Sequence, residues 1–310
     1  MPSKIFKTID EQIKILQSKG LIINDEAKTK EILFRENYFF LNGYRHLLMG
    51  SNKQSGFIPG STFEELYAIF IFDRKLRNIF FKNILIVENN IKSIISYQLS
   101  KKYGFREKEY LNAKNFTGDK LAARQVNDIL NKVRRQMRVN GRQHTATMHY
   151  IDHYGYIPLW VLVKILSFGI MAEFYSILKK EDQQTISSFY KVDSETLEKY
   201  LILIANFRNV CAHEDILYIH HTQRFIPDNK YHELLKIPKK DEIYIYGKND
   251  LFALVIMLKY FLQKEEFSEM IDDIKLEVEI LGDEVKTVSL ESILNRIGFP
   301  NNWYELDEID

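Results

Sequence analysis

Residues 61–95 read STFEELYAIFIFDRKLRNIFFKNILIVENNIKSII, and this stretch decides the fold class. Apolar side chains recur along it every three or four residues, which is the spacing of one face of an α-helix. Ser61, followed three residues later by Glu64, matches the capping box that opens a helix. We therefore predict one helix that begins near Ser61 and covers at least this stretch.

Helix signals continue on both sides of this stretch, while strand signals are scarce. Periodicity and caps predict further helices at 9–18, 24–43, 119–138, 159–178, 195–212, 251–270 and 289–297. Residues 242–247, EIYIYG, form the best strand or hairpin candidate. The predicted fold class is all-α, with one small β-hairpin.

Composition excludes several classes of protein. The 310 residues are 45% hydrophobic and 27% charged, which rules out wholesale disorder and collagen-like chains. The single cysteine, Cys211, leaves no disulfide framework and predicts a reducing compartment, the cytoplasm. The longest strongly apolar stretch, 251–258, is too short to span a bilayer, so no membrane partner is expected.

Charge is balanced overall but polarised along the chain. The net charge is +1, yet residues 101–142 carry twelve basic side chains against four acidic ones, a local net of +8. Residues 264–310 carry four basic side chains against fourteen acidic ones, a local net of −10. The basic segment is suited to a phosphate backbone, although both segments can also be solvated faces that attract each other. Within it, the predicted RNA-binding residues are Lys132, Arg134, Arg135, Arg138 and Arg142.

Residues 206–214, NFRNVCAHE, contain the motif that carries chemistry. Arg208 precedes His213 with four residues between them, and this spacing resembles the Arg-x4–6-His pattern of HEPN ribonucleases. Metal-free RNA cleavage uses the neighbouring 2′-hydroxyl as nucleophile, so a base and an acid must each move a proton, and histidine can do either. A planar guanidinium can stabilise the extra charge on the pentacovalent phosphorus. We predict His213 as the acid/base, Arg208 as the clamp on the phosphorus, and Asn209 as an orienting side chain.

Helix geometry constrains how these two residues can act together. Five positions on an ideal helix separate side chains by about 140° around the axis and about 7.5 Å along it. Either the helix ends or distorts between Arg208 and His213, or the working site combines them from two chains across a two-fold axis. The second arrangement supplies two histidines for the two proton transfers, so we predict a homodimer.

Other assignments compete with this motif. The same spacing also joins Arg138 to His144 and Arg142 to His149. In the structural alternative, Arg208 pairs with Glu214 or another acid, and His213 only ends a helix. Cys211 beside His213 suggests a nucleophile, but a lone cysteine on an apolar helix face is typical of a core. His149 and His153 lack a full ligand set for zinc, so we predict no metal and no cofactor.

Several segments together resemble the Abi family, the abortive-infection proteins of bacteria, in its AbiD/AbiF-like group. They are QI (12–13), SKGLII (18–23), NYFFLNGY (37–44), FDRKLR (72–77), VENNIK (87–92), IPLW (157–160), SFG (167–169), RNVCAH (208–213) and GFPNNW (298–303). The third resembles the family's "YY.l.gY" signature, and RNVCAH matches its "RN.CAH" site. Where the family commonly has an acid, this chain has Val163, Lys164 and Ile165.

The resemblance implies a fold and a function. The expected fold is a HEPN-like helical bundle over 61–220, with a basic insertion at about 101–145. An N-terminal helical region at 1–60 and a connecting region with acidic C-terminal helices at 221–310 would flank it. The expected function is an RNA-cleaving toxin that halts phage propagation, with RNA as substrate and a regulatory small RNA as a second partner. The alternatives are a non-catalytic RNA-binding or protein-interaction module of a defence system, and a metal-dependent hydrolase that uses His149 and His153.

Overall fold

The structure, a computed structural model, describes residues 5–50, 56–119 and 121–309. The described residues form fifteen α-helices: α1 (Ile9–Ser18), α2 (Glu26–Glu36), α3 (Tyr38–Asn42), α4 (Phe63–Tyr103), α5 (Glu107–Tyr110), α6 (Ala123–Asn140), α7 (Thr145–Tyr154), α8 (Leu159–Leu162), α9 (Phe168–Ser176), α10 (Lys180–Ser188), α11 (Ser194–Ala212), α12 (Lys230–Leu234), α13 (Leu251–Phe261), α14 (Lys264–Glu284) and α15 (Leu290–Arg296). They also form four short 3₁₀ helices, at Gly43–Leu47, Ala113–Asn115, Val163–Ile165 and Trp303–Asp307. The all-α prediction is confirmed.

A single hairpin supplies the only strands in the described part of the chain. β1 (Lys239–Lys240) pairs antiparallel with β2 (Ile243–Tyr244). Asp241 and Glu242 between them both have positive φ, at 50° and 63°, which is the backbone of a tight type I′ turn. The predicted hairpin is therefore present, although its second strand is shorter than 242–247.

Helix α4 is the axis around which the other elements pack. It is 41 residues long, so the prediction of one long helix is confirmed. Its buried face contacts α8, α9, α11, α13 and α14. Helix α14 runs antiparallel to the N-terminal half of α4, as the ion pairs Lys82–Glu269 and Lys75–Glu277 show. The long helix therefore fixes the relative positions of most of the bundle.

The capping box that opens α4 lies one residue later than predicted. The Thr62 hydroxyl accepts from the Glu65 N–H at 3.1 Å, and the Glu65 carboxylate accepts from the Thr62 N–H at 3.0 Å. Ser61 is buried, and its carbonyl accepts a hydrogen bond from the backbone N–H of Ile22. The sequence contains two overlapping Ser/Thr-x-x-Glu patterns, Ser61–Glu64 and Thr62–Glu65. Because Ser61 is buried, only the second pattern forms the capping box.

Three predicted helices are interrupted. The helix predicted over 159–178 breaks at Leu166, and Ser167 caps the new helix α9. The helix predicted over 251–270 breaks at Leu262, and Gln263 caps the new helix α14. The helix predicted from 24 to 43 breaks at Asn37, whose φ of 65° ends α2 and whose side chain caps α3. Apolar residues continue across the first break, so periodicity did not indicate it, whereas the second break is followed by four polar residues, 263–266.

None of the helices in the described ranges is both long and apolar enough to cross a bilayer.

A buried carboxylate joins α4 to the chain that follows α11. Asp73 accepts from the Tyr44 hydroxyl at 2.7 Å and from the backbone N–H groups of Leu217 and Tyr218 at 3.2 and 2.8 Å. It also forms an ion pair with Arg77, one helical turn away on α4. Burial raises the pKa of Asp73 above its usual range, and these four partners stabilise its charge. The network holds residues 217 and 218 against the long helix.

Asp73→Asn tests this network. The amide would leave Arg77 buried without its counter-charge and would remove the charged acceptor for two backbone N–H groups. We expect the free energy of unfolding, measured by urea titration, to fall by about 3–5 kcal/mol. Asp128→Asn, at an exposed carboxylate 4.0 Å from Arg124, is the control and should change it by less than about 1 kcal/mol. Equal effects of both substitutions would contradict the assigned role of Asp73.

Candidate functional site

Helix α11 carries the predicted motif at its C-terminal end. Asp193 caps the helix by accepting from the N–H groups of Glu195 and Thr196, each at 2.9 Å. One side of the helix is buried against α4 and α9. Asn209 and His213 are exposed, and Arg208 is half-buried. The prediction of a capped amphipathic helix ending at the motif is confirmed.

The backbone remains helical up to His213. The His213 N–H donates to the Asn209 carbonyl at 2.9 Å, and the Asp215 N–H donates back to the Val210 carbonyl at 3.1 Å. Glu214 between them adopts a left-handed conformation with φ of 56°, which completes a Schellman-type helix end. Since no distortion separates Arg208 from His213, their side chains leave the helix about 140° apart. The two do not share one face of α11.

Arg208 is anchored by an acid on α4. Its Nε lies 3.6 Å from the Glu88 Oε2, and its guanidinium lies 5.8 Å from the centre of the Phe81 ring. The other Glu88 oxygen accepts from Lys92 Nζ at 2.6 Å. Of the acids that the structural alternative allowed, Glu214 or another, the one that faces Arg208 is Glu88.

The anchor leaves part of the guanidinium available. The Arg208 side chain is 28% exposed, and neither Nη donates a hydrogen bond to another described residue. The 3.6 Å contact is too long for a hydrogen bond, and both Arg208 Nε and Glu88 Oε2 are buried without one. The ion pair thus orients the side chain while its terminal donors remain free for an external anion.

His213 faces an open cleft. The cleft has a volume of about 710 Å³ and lies between residues 213–216 and the N-terminal elements α2, α3 and 43–47. Its wall includes the exposed rings of Phe39 and Phe40 and the half-buried Arg45. Among the described residues, Arg45 has no acidic partner. Arg208 is not part of this wall, so one chain brings only His213 into the cleft.

A second arginine of the cleft is held in place. Arg74 donates to both carboxylate oxygens of Glu36, at 3.2 and 2.6 Å, and lies over the Phe70 ring. This contact lowers the pKa of Glu36 and raises that of Arg74. Glu214 and Asp215 also border the cleft, so its charge is mixed. Sequence reasoning gave residues 1–60 no role at the site, and tertiary packing supplies this wall.

The five predicted RNA-binding residues separate into two groups. Lys132 pairs with Glu173 at 2.8 Å, and Arg134 donates to the Leu111 carbonyl at 3.1 Å. In contrast, Arg135, Arg138 and Arg142 are exposed, and within the described ranges none of them has an acidic partner. Lys120, which belongs to the same basic segment, lies outside the described residues.

The competing assignments find little support in the geometry. Cys211 is buried, and burial raises the pKa of its thiol to about 12, which disfavours the nucleophilic thiolate. His144 caps α7 through Nδ1, which accepts from the Ala146 N–H at 3.3 Å. The rings of His149 and His153 lie with their centres 4.3 Å apart and their planes tilted by 33°, and the described residues contain no cluster of three metal-ligating side chains.

Comparison with known proteins identifies the family. Residues 31–219 match the family model described as Abi-like protein, which is more than half of the chain. The chain belongs to this family. Membership connects the protein with abortive infection, a defence against phage. The matched span begins in α2 and ends just after α11, so it includes the cleft, Glu88 and the Arg208–His213 motif. No curated protein and no solved structure gave a significant match.

Glu214→Gly tests the helix end that presents His213. Glycine adopts the left-handed conformation without a Cβ clash, so we expect the free energy of unfolding to rise by about 0.5–1 kcal/mol. Glu279→Gly, within the regular helix α14, is the control and should lower it by about 1 kcal/mol. The charge of Glu214 also helps to raise the pKa of Arg74. A loss of stability in Glu214→Gly, measured by thermal unfolding, would show that this attraction outweighs the backbone strain.

Proposed function

We propose that this Abi-like protein is a metal-independent endoribonuclease that acts in the cytoplasm as a toxin or effector of phage defence. The observation that carries the proposal is the end of α11. There the exposed His213 lines a large cleft. Five residues earlier, Glu88 anchors Arg208, whose terminal donors are free. The HEPN-like spacing of the motif supports the same assignment.

Each motif residue has a role that its environment permits. His213, exposed at the cleft, would take the proton of the attacking 2′-hydroxyl or give one to the departing 5′-oxygen. The free Nη groups of Arg208 would bond the phosphate oxygens as negative charge develops. Asn209, exposed between them in sequence, would orient a phosphate or a neighbouring imidazole. Glu88 is a positioning residue, since it touches Arg208 and not the substrate.

The angular separation of Arg208 and His213 favours a site built from two chains. A two-fold axis beside the end of α11 would bring Arg208 of one protomer towards His213 of the other. Such a site would also contain both histidines, one for each proton transfer. The regular backbone up to His213 supports this arrangement over a distorted single-chain site.

Cleavage of total bacterial RNA in excess chelator is the first test. We expect fragments that end in a 2′,3′-cyclic phosphate and begin with a 5′-hydroxyl. His213→Ala should lower the rate by about 10²–10⁴-fold, and Arg208→Ala by about 10²–10³-fold. His221→Ala and Arg224→Ala, at exposed positions outside the site, are the matched controls. If both motif variants still cleave, the assignment is wrong. Binding without scission by the wild type would favour the non-catalytic alternative.

Mixing the two inactive variants tests the two-chain site. In a dimer that pairs Arg208→Ala with His213→Ala, the shared site keeps one arginine and one histidine, whereas each variant alone lacks one of these two residue types entirely. After subunit exchange at equal concentrations, about half of the dimers are mixed, so activity should rise above that of either variant but stay below about half of the wild-type value. If each site lies within one chain, mixing restores nothing. Each variant incubated with itself provides the baseline.

A further inference from the structure

A continuous chain of aromatic rings lies on the surface between the end of α4 and the start of α8. We call it the ring chain, and its members are Phe105, His149, Tyr150, His153, Tyr154, Tyr156 and Trp160. Neighbouring ring centres lie 4.3–6.3 Å apart. Tyr154 is 57% exposed, Trp160 45% and Phe105 40%. The described part of the chain covers none of these three rings fully.

The backbone beneath the ring chain is firmly held. The Glu109 carboxylate accepts from the N–H groups of Phe105 and Arg106, at 3.1 and 3.0 Å. The Tyr110 hydroxyl donates to the Ile157 carbonyl at 2.7 Å, which ties the segment after α4 to the segment after α7. The backbone that carries the exposed rings is therefore held in place. Little conformational entropy of the protein would be lost when a ligand stacks on these rings.

Positive charge accompanies the rings. The Arg106 guanidinium lies 5.9 Å from the centre of the Phe105 ring and 5.4 Å from that of Tyr156. Residues 132–153 carry five basic side chains and a single acid, Asp152. The three exposed arginines of that segment, Arg135, Arg138 and Arg142, lie on or just after α6, and α7 with its rings follows directly. Cations beside exposed aromatic faces complement a phosphate backbone that carries unpaired bases.

We infer that the ring chain and the neighbouring basic end of α6 bind single-stranded RNA. Exposed rings can stack on bases only where those bases are not already stacked in a duplex, so a single strand fits this surface better than a double helix. The excess of arginine disfavours a basic or neutral protein partner. The inference rests on the proposed function for its choice of RNA, and it adds a binding surface that is separate from the cleft.

The position of the surface suggests how it relates to cleavage. Tyr103, at the end of α4, lies fifteen residues beyond Glu88, a distance of about 22 Å along the helix. A strand that reached from the ring chain to Arg208 would span several nucleotides. The surface therefore either holds the flank of a substrate strand or retains a separate regulatory strand.

Binding of a fluorescently labelled twelve-nucleotide oligouridine to the full chain tests the inference. All variants are made in the His213→Ala background, so that cleavage does not interfere with the measurement. Tyr154→Ala and Trp160→Ala should each weaken binding about tenfold, and Tyr154→Phe should retain it. Tyr97→Ala is the matched control, because Tyr97 is an exposed ring (62%) outside the ring chain, and it should leave affinity unchanged.

Each remaining outcome is decisive. Unchanged affinity in both alanine variants, equal affinity for a duplex of the same length, or a change only in oligomeric state would overturn the inference. If the oligonucleotide binds through the rings but the His213-intact protein cuts no RNA, the ring surface stands and the proposed nuclease fails. Slower cleavage by the ring variants at low RNA concentration would identify the bound strand as substrate. Unchanged cleavage would identify it as a regulatory RNA.

Discussion

The carboxylate of Asp73 is the contact on which the arrangement around the cleft depends. It lies in the interior of the bundle, where a lone charge would be strongly destabilising. Its partners come from three separate parts of the chain: the Tyr44 hydroxyl, Arg77 on α4, and the backbone after α11. The same charge therefore joins the N-terminal wall of the cleft, the long helix and the segment that follows His213.

Helix α4 supplies a second fixed point at Glu88. This acid faces Arg208, while Asp73 holds residues 217 and 218. Both ends of the motif are thus positioned from one rigid element, although Arg208 and His213 point in different directions. This arrangement fixes each side chain with respect to the long helix. Under the proposed function, Arg208 and His213 come together only when a second chain is present. The arrangement also explains why Asp73 and Glu88 are among the charged residues on the buried face of this helix.

Local signals predicted most of the fold, and they failed where a boundary depended on burial. The periodicity of 61–95 predicted α4, and Asp25, Asp193 and Ser289 cap helices that begin close to the predicted starts. The break at Leu166 was missed because apolar residues continue across it. The break at Leu262 was missed although the polar residues 263–266 follow it and Gln263 forms a capping box with Glu266. Every residue from Leu251 to Leu258 is buried, so this segment has no polar face from which a helix end could be inferred. The predicted Ser61 cap was wrong because Ser61 is buried and its carbonyl is bonded to the Ile22 N–H, while Thr62 caps the helix.

The sequence by itself determined the all-α class, the long central helix and the Arg208–His213 motif, since each depends on residues close together in the chain. Only the tertiary structure decided that Glu88 holds Arg208, that residues 35–46 form the wall opposite His213, and that seven aromatic rings join across two segments. Glu88 is 120 positions from Arg208 in the sequence, and no local pattern connects them. Packing around α4 brings such distant residues together. A buried charge such as that of Glu88 is costly unless an oppositely charged group is packed against it, and that group can come from any part of the sequence.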